Sequence, residues 1–209
     1  QRHCRSRGRS KGSARQATAV KLVLASNNAK KLAELQQLFE GLPIELVSQG
    51  TLGVAEAEEP HLTFVENALA KARHAARATG LPAVADDSGL CVDALDGAPG
   101  VQSAVFATLP VQQGDREAQR RAQDAANNTL LLDRMRQATD RRCRFVSTLV
   151  ALRHADDPQP LVAFGRWEAR LLESPRGQGG FGYDPLVWID ALSATVAELP
   201  SFLKCQHSH

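Results

Sequence analysis

The sequence predicts an α/β fold, on three observations. A short β-rich run, "VKLVLA" from Val20, passes through "SNN" into a segment of helical spacing. A second helical segment leads into "PAVA" at Pro82–Ala85. Two long β-rich segments, "RCRFVSTLVALRH" and "PLVAFGRWEARLL", flank the turn formers "ADDPQ".

In chain order, Leu32, Leu35, Leu38 and Phe39 recur at helical intervals after the first strand, and Gly41 with Pro43 stops that helix. "IELV" reads as a second strand, and acidic "AEAEEPH" as a loop into a helix that begins near Thr63. Thr63 and Glu66 have capping-box spacing, although Glu66 is also open to a functional role. "PAVA" is expected to deliver Asp86 and Asp87 to its C-terminal end, where sites collect in open α/β sheets. "GLCVDAL" reads as a further extended run ending at "DGAPG", and Arg116–Met135 as a polar helical connection. The two long β-rich segments then form a hairpin. Pro-Gly-rich "ESPRGQGGFGYDP" and a last strand, "LVWI", follow.

Composition narrows the class. A chain of 209 residues suits one domain or a tightly joined pair. No apolar run approaches the roughly 20 residues that a membrane span needs, and no secretory signal stands out, so a non-membrane globular protein is expected. Cys4, Cys91, Cys143 and Cys205 are scattered, without paired zinc spacing or a dense disulfide framework, which fits a reducing, cytoplasmic setting. The first sixteen residues hold Arg2, Arg5, Arg7, Arg9, Lys11 and Arg15 and no acid; subtracting those six charges from the net +2 leaves −4 for the remainder. Residues 1–19 are accordingly expected to be a disordered basic extension, either merely solvated or able to touch nucleic acid or an import system. Residues 20–209 form the expected functional domain.

The polar motifs each have a plain and a chemical reading. Adjacent Asp86 and Asp87 in "ADDSGL" either sit solvated in a turn or are held for a cation, because like charges repel. "GQGGFG" matches G-x-G-x-x-G through Gly177, Gly179 and Gly182, but Pro185 follows at once and disfavours the helix a dinucleotide fingerprint must open. It reads instead as a loop whose backbone N–H groups can approach a ligand. "SNNAKK" puts a hydroxyl, amides and lysines at a helix N-terminus, a natural anion site; Lys71 and Lys204 are further candidate cations. Mg²⁺ takes hard oxygen ligands, often one or two carboxylates plus substrate phosphates, and Glu58 or Glu59 with Asp87 could supply such a pair. Cys205, His207 and His209 in "CQHSH" lack the fourth ligand and scaffold of a soft-metal site.

Read together, "LASNNAKKLAEL", "EEPHLTFVENALAKARHAA", "PAVADDSGLCVDALDGAPGV", "GGFGYDP" and the weaker "TVAELPSFLKCQHSH" resemble the inosine and xanthosine triphosphate pyrophosphatase family, from about Val20 to His209. The resemblance implies an elongated, two-lobed α/β fold with a central mixed sheet flanked by helices, an active-site cleft between the lobes, and a homodimer. It implies Mg²⁺-dependent hydrolysis of nonstandard purine nucleoside triphosphates (ITP, dITP, XTP) to the monophosphate and pyrophosphate. On that basis Ser26, Asn28 and Lys31 hold phosphates with Lys71 nearby, and Ser88 touches substrate. Asp87 binds metal and accepts a proton from the attacking water, with Asp86 the alternative base, and Glu58 is the second acidic ligand, with Glu59 its alternative. Phe181 stacks on the purine within the Phe181, Gly182, Tyr183 and Asp184 stretch, and Asp184, Lys204 and His209 make polar contacts to the base. Val105 stands where the family pattern has an arginine, and the pattern carries another arginine after the position of His209; both departures are expected to touch base selectivity before chemistry. Two other readings compete: a related pyrophosphatase of modified pyrimidine nucleotides, and a catalytically weak nucleotide- or nucleic-acid-binding protein.

Overall fold

A computed structural model describes residues 19–110 and 115–200. Among these residues, three α-helices, α1 (Ala29–Leu38), α2 (Phe64–Thr79) and α3 (Arg116–Arg134), accompany seven strands. These are β1 (Val20–Leu24), β2 (Ile44–Ser48), β3 (Ala83–Val92), β4 (Arg142–Leu152), β5 (Leu161–Leu171), β6 (Val187–Ile189) and β7 (Ala194–Thr195). The strands form one open mixed sheet in the order β2-β1-β3-β4-β5-β6-β7. β2, β1 and β3 run parallel, and every later pairing is antiparallel. The α/β class is as the sequence predicts, and the central mixed sheet is as the family resemblance implies.

The helices form for the reasons their sequences give, with one exception. Leu32, Leu35 and Phe39 of the first helical segment pack with Leu22, Leu24 and Leu46, but Leu38 is 53% exposed. α2 opens at Thr63, whose hydroxyl accepts from the Glu66 N–H and donates to the Glu66 carboxylate. Ala68, Ala72, Ala75 and Ala76 give α2 a face without bulk, so it lies close on β3 and β4. The expected hairpin is β4 and β5, in register from Arg142↔Arg170 to Ala151↔Leu161.

β3 differs from expectation. "PAVA" and "GLCVDAL" are not separate runs, and Asp86 and Asp87 do not end a strand: one ten-residue strand carries them at its middle. The cause is its partners. β1 pairs with β3 only at Val23↔Ala83 and Leu24↔Val84 and then stops, whereas β4 pairs with β3 from Ala83 to Val92. Ser88 and Gly89, ordinary turn formers, are held extended by a strand far away in sequence.

This places the aspartates between two apolar cores. Ala83 and Ala85 belong to a cluster with α2, Val150 and Leu152. Leu90 and Val92 belong to another with Leu131 and Met135 at the end of α3, Cys143, Leu171 and Leu186. Where β1 ends, the sheet has a notch on one side of β3, and the carboxylates lie beside it.

Candidate active site

Successive side chains of a strand point to opposite faces, so the neighbouring charges of Asp86 and Asp87 are separated by the pleat. Each is 7% exposed and each has its own cation. Lys31 of α1 reaches Asp86 Oδ2 at 2.5 Å from one face. Lys71 of α2 reaches Asp87 Oδ1 at 3.1 Å from the other, and Glu59 Oε2 at 3.2 Å. Burial raises the Asp87 carboxyl above its usual range, outweighing the Lys71 ammonium that lowers it; Glu59 adds to the rise. Burial pulls Lys71 down, but the Asp87, Glu59 and Asp86 carboxylates overcome it and hold Lys71 charged beyond its ordinary range.

One oxygen of this cluster is unsatisfied. Asp87 Oδ2 is buried without a hydrogen-bond partner, and so is Thr148 Oγ1, which belongs to the residue directly opposite Asp87 on β4. Buried polar atoms are nearly always paired, so two orphans on facing residues leave bonding capacity for a further polar group or ion.

The turn after β1 supplies the other wall. Ser26 Oγ accepts from the Asn28 N–H at 3.1 Å, and Asn28 Oδ1 accepts from the Lys31 N–H. This local bonding starts α1 at the mouth of the notch. Ser26, Asn28, Lys31, Glu59, Lys71 and Asp86 line one cleft of about 160 Å³, together with Gln49 and Glu56. Both candidate glutamates are exposed in the same loop, and Glu59 is the one that reaches Lys71 and lines the cleft. Ser88 is exposed on β3 next to Asp87.

Phe181, Gly182, Tyr183 and Asp184 form a second group. The Phe181 ring is 64% exposed. Tyr183 turns inward, its hydroxyl donating to Ser103 O at 2.9 Å, and Asp184 Oδ2 accepts from the Phe181 N–H at 3.2 Å. Ser103 ties this group to β3, because its hydroxyl also accepts from the Leu90 N–H at 2.9 Å. The loop opens no helix, as Pro185 leads one to expect. Lys204, His209, the "CQHSH" segment and the basic extension lie outside the described residues.

Two contributors escape sequence reasoning, and for a third, Asp86, the partner does. Asn67 is buried beside Asp87, its amide fixed to the His61 backbone at 3.0 and 3.2 Å; it stands four residues before Lys71, hence on the same helical face, which is a signal that was available. Gln49 is buried in the cleft wall, and no local pattern marks it. Asp86 acts as a partner of Lys31, which only the strand pleat reveals.

Comparison with known proteins agrees with this architecture. A dITP/XTP pyrophosphatase of Methylibium petroleiphilum is 68% identical over 190 residues, covering 91% of each chain. The structure of a HAM1 protein from Coxiella burnetii matches with a TM-score of 0.82 at 39% identity, over 90% of this chain and 91% of that one. A nucleoside-triphosphatase, dITP/XTP pyrophosphatase, from Mycobacterium abscessus superposes with a TM-score of 0.70 at 40% identity, over 91% and 94% of the two chains. With likeness of this extent, and the model of the Ham1 family matching residues 22–209, the chain belongs to the Ham1 family.

Proposed function

We propose that this protein hydrolyses nonstandard purine nucleoside triphosphates (dITP, ITP and XTP) to the monophosphate and pyrophosphate, with Mg²⁺, and so removes them from cytoplasmic nucleotide pools. Relatives that share most of its length carry the name dITP/XTP pyrophosphatase. The observation that carries the reading is Asp87: a buried carboxylate with one oxygen on Lys71 and the other unpaired.

The residues suit the reaction. A water attacking the α-phosphorus must lose a proton as pyrophosphate leaves, and the raised Asp87 carboxyl is a competent acceptor. Lys31, Lys71 and the start of α1 offer positive charge where the leaving oxygens gain negative charge. Asp87 Oδ2 with Glu59 offers a carboxylate pair, and among the described residues no three His, Cys, Asp or Glu side chains converge as a closed site would require. That donor set fits Mg²⁺, which keeps waters and substrate phosphates as ligands; Glu58, one residue earlier, is the alternative acid. Bound there, Mg²⁺ would neutralise phosphate charge. Phe181 presents a face for the purine, and Asp184, Lys204 and His209 are the proposed polar readers of its edge. A donor aimed at a 6-oxo group leaves adenine mismatched. Two copies are proposed to pair as a homodimer.

The test is a panel of ITP, dITP, XTP, GTP, ATP and modified pyrimidine triphosphates with Mg²⁺ or with chelator. Pyrophosphate release from the 6-oxopurine substrates, abolished by chelation, is expected. Orthophosphate as the product, or turnover confined to pyrimidines, would overturn the proposal.

A further inference from the structure

The loop that carries Phe181 is gripped by α3. The Gly182 N–H donates to Asp124 Oδ2 at 2.9 Å, and the Gly182 carbonyl accepts from Asn128 Nδ2 at 2.9 Å. Asp124 and Asn128 are four residues apart, one turn of the helix, so a single helical edge holds both polar ends of one residue. Gly182 sits at φ +57°, a left-handed backbone that other side chains rarely adopt. The preceding N–H, that of Phe181, is taken by Asp184. The backbone here is therefore pinned at consecutive residues while the ring it carries stays 64% exposed.

The same helix is tied to the catalytic strand. Asn127 Nδ2 donates to Ser103 O at 3.2 Å and to Ala104 O at 3.1 Å, and Ser103 bonds the Leu90 N–H of β3. α3 thus splints the Phe181 loop to the strand that holds Asp87. Asn128 Oδ1 is buried without a partner, so the side chain bears an unsatisfied acceptor while its amide grips Gly182. An apolar residue of similar size would avoid that cost.

We propose that Asp124 and Asn128 are positioning residues for base recognition: they fix the Gly182 peptide so that the exposed Phe181 ring stands pre-set to stack on the purine. The inference rests on the reading of Phe181 as the stacking face. Pre-set geometry lowers the ordering cost of binding, so its loss weakens contact with the base and leaves the polyphosphate contacts alone.

The full chain, titrated by calorimetry with IMP and with inorganic tripolyphosphate in Mg²⁺, separates the two halves of the ligand. Asp124→Leu is expected to weaken IMP binding about tenfold, the scale of one hydrogen bond to a charged group. Tripolyphosphate affinity should stay within about twofold. Asp124→Asn keeps an acceptor oxygen and should restore most of the IMP affinity. In a Phe181→Ala background, which itself loses IMP affinity, Asp124→Leu should add almost nothing, because the two residues act through one contact. Equal weakening of IMP and tripolyphosphate, or additive losses in the double variant, would overturn the positioning role while leaving the proposed function standing. Failure of Phe181→Ala to weaken IMP would instead remove the stacking reading, and the inference with it. If Asp124→Leu does not melt cooperatively, Asn128→Ala, which frees only the carbonyl, is judged by the same criteria.

Discussion

At the scale of single residues, the site burdens the fold with charge. Burial and Glu59 disfavour the charged form of Asp87, and Lys71 is the strongest influence in its favour. Asp87→Asn keeps the shape and removes the charge that the proposed cation and attacking water need. Turnover is expected to fall about 100-fold or more, the scale of a general-base contribution, with a cooperative melt retained; near-parental turnover in the folded variant would exclude Asp87 as the base. The pH dependence has a definite sign. Because Asp87 titrates above the ordinary 3.8, the acid limb of kcat/KM, which reports the free enzyme, should lie above that value. Lys71→Met removes the charge that lowers the Asp87 value, so the limb should move to higher pH; a shift to lower pH would contradict the pairing. Lys31 faces Asp86 rather than Asp87. Its replacement by alanine should raise KM about tenfold, as loss of a charged hydrogen bond does, and equally for ITP and GTP, since a phosphate contact is blind to the base. Unequal changes would assign Lys31 to the base instead.

At the scale of elements, β3 decides where the site is, and Gly89 decides how close the two halves of the molecule come. A Cβ at Gly89 would lie 2.4 Å from Ser103 Oγ and 2.5 Å from Gly100 O. Gly89→Ala must therefore push the 100–105 turn off β3 and strain the Ser103 link toward Tyr183 and α3. A loss of about 1–3 kcal/mol, the usual cost of overpacking, is expected in denaturant unfolding; an unchanged midpoint would show that the turn yields freely. The sequence was informative where structure is local. The spacing of Leu32 and Leu35, the Thr63 cap, and the "ADDPQ" turn each mark their element without help from elsewhere. It was uninformative where distant pairing overrides local preference, as at Ser88 and Gly89, which read as a turn and are strand. The candidate residues were legible by type, but not by direction. Nothing local distinguishes Glu59, which reaches Lys71, from its neighbour Glu58, and nothing local shows Tyr183 turning inward. α3 was legible as a polar helix, yet its grip on Gly182 depends on a loop more than fifty residues later in the chain.

At the scale of the whole molecule, the edge of β5 is the feature left open among the described residues. β5 pairs with β4 along its length, but on its other side, among the described residues, β6 covers only Arg170 and Leu171. Along the uncovered part, Leu161 is 76% exposed, Val162 41% and Phe164 66%. A long edge strand with unpaired N–H and C=O groups and apolar side chains is a template for association, and proteins that keep one usually cover it. A second copy is a natural cover, because a two-fold axis brings the same patch of each subunit against itself. The proposed homodimer is therefore expected to use this edge, and Phe164→Glu with Leu161→Lys should convert a species of twice the 22.6 kDa chain mass into a monomer in sedimentation analysis. Lys31, Glu59, Lys71, Asp86 and Asp87 meet within one chain, so the monomeric variant should retain most of its turnover per chain. A parental protein that sediments as a monomer would end the dimer proposal. A dimer that survives both substitutions would place its interface elsewhere, and a monomer with no turnover would mean that the partner supports the cleft.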